Sequence, residues 1–196
     1  IEEFLEDLAT SRSWVSKSII AKTLEGRNVQ LIHFNPGGST ERIWIDGGIH
    51  AREWITHATI TYLLNQLINN YEENQGLADR FDWYFVPVIN PDGYVYTWLQ
   101  DRMWRKNRNP NLGRGICYGV DLNRNYASKF HHEENTCSET YPGTHPFSEE
   151  ETSGIRDTVL RYAPFQLMLN VHSYSQLVLY PWGFTGSDTN DAEAQV

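Results

Sequence analysis

His50 and Glu53 stand three residues apart where an apolar strand runs through two glycines into a long helix, in IWIDGGIHAREWI. At that spacing the imidazole lies in the strand-to-helix turn and the carboxylate at about the first turn of the helix, so both can face one metal ion. The pattern is H-x-x-E rather than H-E-x-x-H, in which both histidines ride one helix face and the intervening glutamate is a base. Here the glutamate would itself be a ligand. A catalytic zinc needs three protein donors and one open position, so a third donor must come from far along the chain. The best candidate is His172, at the end of the apolar run FQLMLNV. Ligands at strand ends suit an α/β sheet, whose sites gather beyond the carboxyl ends of its strands. No fourth ligand suggests itself, which argues against a closed structural site.

Those residues need a frame to hold them. With 196 residues, 40% hydrophobic and 21% charged, the chain is long enough for one sizeable core, and residues 1–196 are expected to form one domain. IEEFLEDLATSR places Ile1, Phe4, Leu5 and Leu8 on one helix face. SIIAKTLEGRNVQLIHF predicts a hairpin turning at Glu25-Gly26-Arg27-Asn28. The strand Ile43 to Ile45 feeds the metal turn. Ile60, Leu63, Leu64, Leu67 and Ile68 make the buried stripe of the helix that follows, and Asn69 and Asn70 help end it. FDWYFVPVIN reads as a strand buried on both faces, with Trp83, Tyr84 and Phe85 in the core, and Pro91-Asp92-Gly93 as a turn. Ser148-Glu149-Glu150-Glu151 reads as a capping box on a surface helix supported by Ile155, Val159 and Leu160. FQLMLNV is the next strand. Strands alternating with helices predict an α/β fold around a mixed, largely parallel central sheet.

A net charge of −9 argues against nucleic acid or an anionic membrane as partner, since phosphate would be repelled. No apolar run approaches the roughly 18 residues needed to cross a bilayer. Glu2, Glu3, Glu6 and Asp7 leave no expectation of a signal peptide in these residues. Cys117 and Cys137, separated by polar sequence, suit one disulfide closing a surface loop, although the count alone also allows two free thiols. Arg102, Arg105, Lys106, Arg108 and Arg114 put five positive charges into thirteen residues of an acidic protein. Such clusters are usually solvated faces, but here they could serve a carboxylate-bearing ligand. His33, His57 and His145 have no partner in the pattern and are assigned no role. A Glu53–His57 helix pair is the bland alternative to a ligand set.

Six stretches, IWIDGGIHAREWI, NPDGYVYT, DRMWRKNR, GVDLNRNY, CSETYPG and HSYSQLVLYPWG, occur in this order from position 43 onward. Together they resemble zinc metallocarboxypeptidases of the pancreatic carboxypeptidase A/B type. The resemblance implies a mixed eight-stranded sheet with helices on both faces, and a secreted, extracellular enzyme that removes single residues from peptide C-termini with one Zn2+ per chain. It makes His50, Glu53 and His172 the zinc ligands. Arg105 would polarise the scissile carbonyl, fixed positive charge stabilising the developing oxyanion. Asn123 and Arg124 would hold the terminal carboxylate, which a guanidinium fork suits bidentately. Arg52 would belong to a neighbouring substrate subsite, and Ser173 and Tyr174 would line the cleft. Asp121 would accept the other ring N–H of His50 and so fix its tautomer.

The implied partners are peptide or protein C-termini, with a propeptide or a protein inhibitor also admissible, and the implied state is a monomer. Leu179 and Gly183 lean toward the apolar-preferring A type. Family enzymes are longer, so the C-terminal part of the domain is expected to be missing. With it would go the general-base glutamate, a mobile cleft tyrosine and the strands that complete one sheet edge, leaving these residues inactive alone. The other functional reading is a catalytically inactive, zinc-bearing homologue that binds peptide C-termini.

Overall fold

The computed structural model describes residues 1–112 and 116–187. Arg114 and the polar tail from residue 188 lie outside the described residues. Helix α1 (Glu2–Ser11) leads into the hairpin β1 (Val15–Lys22) and β2 (Asn28–Phe34), then β3 (Arg42–Gly47) and α2 (Trp54–Leu64). There follow α3 (Tyr71–Ala78), β4 (Asp82–Val86), α4 (Pro91–Leu99), α5 (Glu150–Tyr162) and β5 (Leu167–Val171). The strands form one five-stranded sheet in the order β1-β2-β4-β3-β5. The hairpin pairs antiparallel to itself and to β4, whereas β3 runs parallel to both β4 and β5. The sheet is mixed and α/β as expected, though two of its four pairings are parallel rather than most of them.

Alternation along the strands makes two cores. Phe34, Ile43, Ile45, Trp83 and Phe85 point to one face and pack with Leu5, Leu8, Ile60, Leu64 and Ile68 of the helices there. Val29, Leu31, Trp44, Tyr84 and Val86 point to the other and meet Leu122 and Ile155. Helices therefore cover both faces. Ile60 is fully buried beneath the end of β3, and its truncation to alanine would cost about 2–5 kcal/mol.

Parallel register is what makes a site. Gly47 of β3 pairs with Val171 of β5, so the chain leaves both strands at the same sheet end. His50 and His172 follow directly. Two glycines let α2 close on that end. A Cβ at Gly47 would stand 2.7 Å from Ile60 Cδ1, and one at Gly48, where φ is +64°, would stand 2.6 Å from His57 Nε2.

The helix after the metal turn runs through a π turn over Asn65–Asn69 and ends, as expected, at Asn70, which leaves helical geometry (φ −96°, ψ 36°) while its N donates to Asn65 O at 3.0 Å; α3 starts beyond it. Three local expectations need correction. Pro91-Asp92-Gly93 is the first turn of α4, with proline at a position that needs no N–H and the Asn90 side chain capping Gly93 N. Ser148 is no cap: its hydroxyl donates to Glu149 Oε1, and Glu149, the N-cap residue, makes no side-chain cap bond. Nor is that helix start a surface motif. Glu149 and Glu151 are buried, and Asn107 and Asn109 donate to Glu149 Oε2 at 2.7 and 2.9 Å, whereas Leu160 is 70% exposed. Cys117 and Cys137 are bonded to each other, which removes the free-thiol reading. Among the described residues no helix is long and apolar enough to cross a membrane.

Candidate metal centre

His50, in the turn after β3, and Glu53, the N-cap of α2, are both buried. His172 follows β5 directly and keeps a third of its side chain exposed. The Glu53 carboxylate is shared between the two rings: Oε1 lies 2.8 Å from His50 Nδ1 and Oε2 lies 3.1 Å from His172 Nδ1. Ser173 N also donates to Oε2, at 3.0 Å. One donor atom from each residue falls within 4.8 Å of the other two, and the imidazole centroids are 4.8 Å apart.

This donor set fits zinc. Two ligand atoms on a tetrahedral zinc stand about 3.3 Å apart, and the two separations from the Glu53 carboxylate, 2.8 and 3.1 Å, lie close to that spacing. Two imidazoles and one carboxylate also leave a fourth position for water or substrate. The Glu53–His57 alternative is not what forms. Glu53 faces His50 and His172, and neither ring nitrogen of buried His57 has a side-chain hydrogen-bond partner among the described residues.

Asp121 lies against the far side of the His50 ring. It is fully buried, its Oδ1 lies 3.2 Å from His50 Nε2, and Arg105 Nε and Nη2 donate to its Oδ2 at 3.1 and 2.8 Å. With Nε2 engaged by a carboxylate, Nδ1 is the His50 nitrogen left for a metal. Charges reinforce one another here. Burial works against ionised Glu53, but hydrogen bonds from His172 and His50 outweigh it and hold the carboxyl at about 2. Burial likewise disfavours charged His50, but Asp121 and Glu53 raise its pKa nonetheless. Burial opposes ionised Asp121 as well, and His50 and Arg105 lower its pKa. A metal must displace a proton from such a ring, so binding should release protons and weaken in acid.

The remaining predicted residues lie at graded removes. Arg105 Nη1 reaches to 3.4 Å from His50 Nδ1. Asn123 N donates to Asp121 Oδ1 at 3.0 Å, and Arg124 is exposed beside it on the short 3-10 turn Leu122–Arg124. Arg52 lies two residues past His50, but its guanidinium turns to Met103 O and Glu139 Oε2, at 3.1 and 3.2 Å. Ser173 touches Glu53 through its backbone, and Tyr174 is 96% exposed.

A family model described as zinc carboxypeptidase matches residues 1–195. The chain belongs to the zinc carboxypeptidase family. It is 41% identical over 199 residues to carboxypeptidase B of Astacus astacus, covering 97% of this chain and 65% of that protein. With carboxypeptidase A1 of Mus musculus the identity is again 41%, over 98% of this chain and 48% of the relative. A crystal structure of thrombin-activatable fibrinolysis inhibitor superposes with a TM-score of 0.92 at 34% identity, covering 98% of this chain and 51% of that one. The bovine form of that protein, in complex with a tick carboxypeptidase inhibitor, superposes with a TM-score of 0.88 at 34% identity, over 98% of this chain and 65% of that one. The chain thus spans about half to two-thirds of the length of these zinc carboxypeptidases.

Two features of the centre were not singled out in the sequence. Glu139, which holds Arg52, lies two residues past Cys137 in CSETYPG, where nothing marks it as a partner of position 52. Asn90 is the last residue of FDWYFVPVIN, the run expected to be a strand. A polar residue directly before proline at a strand exit is a helix-cap signal that could have found it. A hollow of about 390 Å³ lined by Arg27, Gln30, Val88, Pro91 and Tyr94, among others, includes none of the three donor residues.

Proposed function

We propose that the protein is a zinc-dependent exopeptidase that hydrolyses the C-terminal peptide bond of peptides and proteins. The observation that carries this reading is the cluster of His50, Glu53 and His172, three donors within 4.8 Å of one another, one of them solvent-exposed. When bound in such a site, zinc supplies Lewis acidity, making a water acidic near neutral pH and polarising a carbonyl oxygen. The chain's own residues do the rest. His50, Glu53 and His172 hold the ion, and Asp121 keeps His50 Nδ1 available to it. Arg105 places a fixed guanidinium where negative charge builds on the scissile carbonyl oxygen. Asn123 and Arg124 pair with the terminal carboxylate, while Arg52, Ser173 and Tyr174 line the cleft for the residues before it.

Both Glu53 oxygens and both Asp121 oxygens are already engaged. The resemblance to zinc metallocarboxypeptidases assigns the acceptor of the water's proton to a glutamate outside these residues. The disulfide supports a secreted protein in an oxidising compartment. On this reading it acts as a monomer, and a protein inhibitor that offers its own C-terminus would compete with substrate. Family and relatives do not favour the inactive homologue.

The test is whole protein, zinc-loaded, acting on a peptide with a free C-terminus and on its C-terminal amide. Release of single residues from the free acid only, abolished by a chelator and restored by zinc, is the expected result. Equal cleavage of both, or internal cleavage, would overturn the proposal. The 196 residues alone should bind zinc yet turn over about 10²- to 10⁴-fold more slowly, for want of the general base.

A further inference from the structure

Asn90, between β4 and α4, is fully buried and its side chain is bonded to three separate segments. Oδ1 accepts from Gly93 N at 2.9 Å, capping α4. Nδ2 donates to Ile49 O at 3.2 Å and to Lys106 O at 3.0 Å. Its backbone N donates to Gly48 O, also at 3.0 Å. The two carbonyls reached by Nδ2 belong to the neighbours of His50 and of Arg105. On the other side of His50, Ala51 N donates to Arg105 O at 3.0 Å. Both residues flanking His50 are thereby fastened to the Arg105–Lys106 backbone.

We infer that Asn90 is a positioning residue that sets the spacing between the metal turn and the Arg105 guanidinium. The amide chemistry is specific to the task. The position needs one acceptor toward an N–H and two donors toward two carbonyls, which an amide supplies and a carboxylate or single hydroxyl does not. The same partners fix which end of the amide is which. Packing closes the bridge as well: a Cβ at Gly93 would stand 2.6 Å from Asn90 Nδ2 and 2.6 Å from Lys106 O. A residue needed only as a helix cap would use Oδ1 and leave Nδ2 free of the metal turn.

The inference rests on the proposed role of Arg105 in peptide hydrolysis, and the test separates the two. In the whole zinc-loaded protein, Asn90→Asp keeps the cap acceptor and removes both donors. It should lower kcat about 10- to 100-fold, the range seen when residues supporting a metal site are lost, with KM and zinc affinity held. Gly93→Ala presses on the same bridge without changing a polar group and should act in the same direction. Each variant is then combined with Arg105→Gln. If Asn90 works through Arg105, the double variants are no slower than Arg105→Gln alone. Penalties that multiply within about twofold, the behaviour of independent sites, would overturn the inference. So would an unchanged kcat in Asn90→Asp, a loss of fold in both Asn90→Asp and Gly93→Ala, or an Arg105→Gln variant as fast as wild type. An unmutated protein that releases no C-terminal residue would instead overturn the hydrolytic reading itself.

Discussion

His50 and His172 give to one cluster from very different surroundings. His50 is 3% exposed, with a carboxylate on each ring nitrogen and neighbours tied on both sides to the Arg105–Lys106 backbone. His172 ends an edge strand whose Leu167, Met168 and Leu169 are 42–50% exposed, and β5 is paired to β3 alone among the described residues. A single strand-to-helix turn can therefore preorganise two donors. The third is held in place by sheet pairing and by Glu53 itself.

Replacing each histidine by alanine sharpens that contrast. A tetrahedral zinc site whose binding energy is shared evenly loses on the order of 3 kcal/mol per donor, so both variants should lose roughly 10²-fold in zinc affinity. They should part in the metal-free protein. His50→Ala removes one partner from each of the buried Glu53 and Asp121 carboxylates and should cost about 3 kcal/mol in chemical denaturation. His172→Ala, at the surface, should cost less than about 1 kcal/mol. Equal stability losses would break the comparison.

The well-supported half is also where acid should act. His57, on α2 behind the metal turn, stacks on Tyr94 at 4.2 Å, and burial pushes its pKa down from 6.5 to about 4. Between those values the unfolded chain binds a proton that the folded one does not, so stability falls as pH drops from 6.5 toward 4. The loss is about 3 kcal/mol. Denaturation of the metal-free protein across that window measures it, and His57→Phe should flatten the slope. Glu53, held at about 2 when folded, adds a further acid loss below 4.5. An unaltered slope in His57→Phe would assign the acid loss elsewhere.

The same contrast explains what the sequence could and could not announce. His50 and Glu53 were legible because their geometry is local, fixed by three residues of turn and helix start. His172 was legible only as a strand-end histidine, and its proximity depends on the β3–β5 register, which no local pattern encodes. Asp121 and Arg105 could be placed by resemblance alone, since their partners lie on distant segments. Glu149 and Glu151 look like a solvated helix start until Asn107 and Asn109 are brought over them by tertiary packing. The π turn was hidden for a local reason: Asn69 and Asn70 mark the helix end, but no local pattern marks that Asn70 N reaches back five residues to Asn65 O.

Residues that hold the two imidazoles extend the comparison at smaller scale. Asp121→Asn weakens the acceptor facing His50 Nε2 and should lower zinc affinity about 10- to 100-fold. Asn170, whose Oδ1 contacts His172 Nε2, is exposed, so Asn170→Ala should stay below about tenfold. Competition with a chromophoric chelator measures both, and an Asn170 effect as large as that of Asp121 would mean that β5 is held more firmly than its exposure indicates.

The smallest effect belongs to the rim. Glu139 is 61% exposed at its side chain and pairs with Arg52 at 3.2 Å, a contact worth at most about 1 kcal/mol in water. Glu139→Gln should therefore leave the fold and kcat unchanged while freeing positive charge beside the metal turn. Peptides with an acidic residue before the terminal one should then bind up to about fivefold more tightly, read as a lower KM at low ionic strength. Because the charge is exposed, the gain should disappear at about 1 M salt, where screening acts within roughly 3 Å. A drop in kcat for every peptide would instead place the Arg52–Glu139 pair with the buried His50 half of the site, as a part of its bracing.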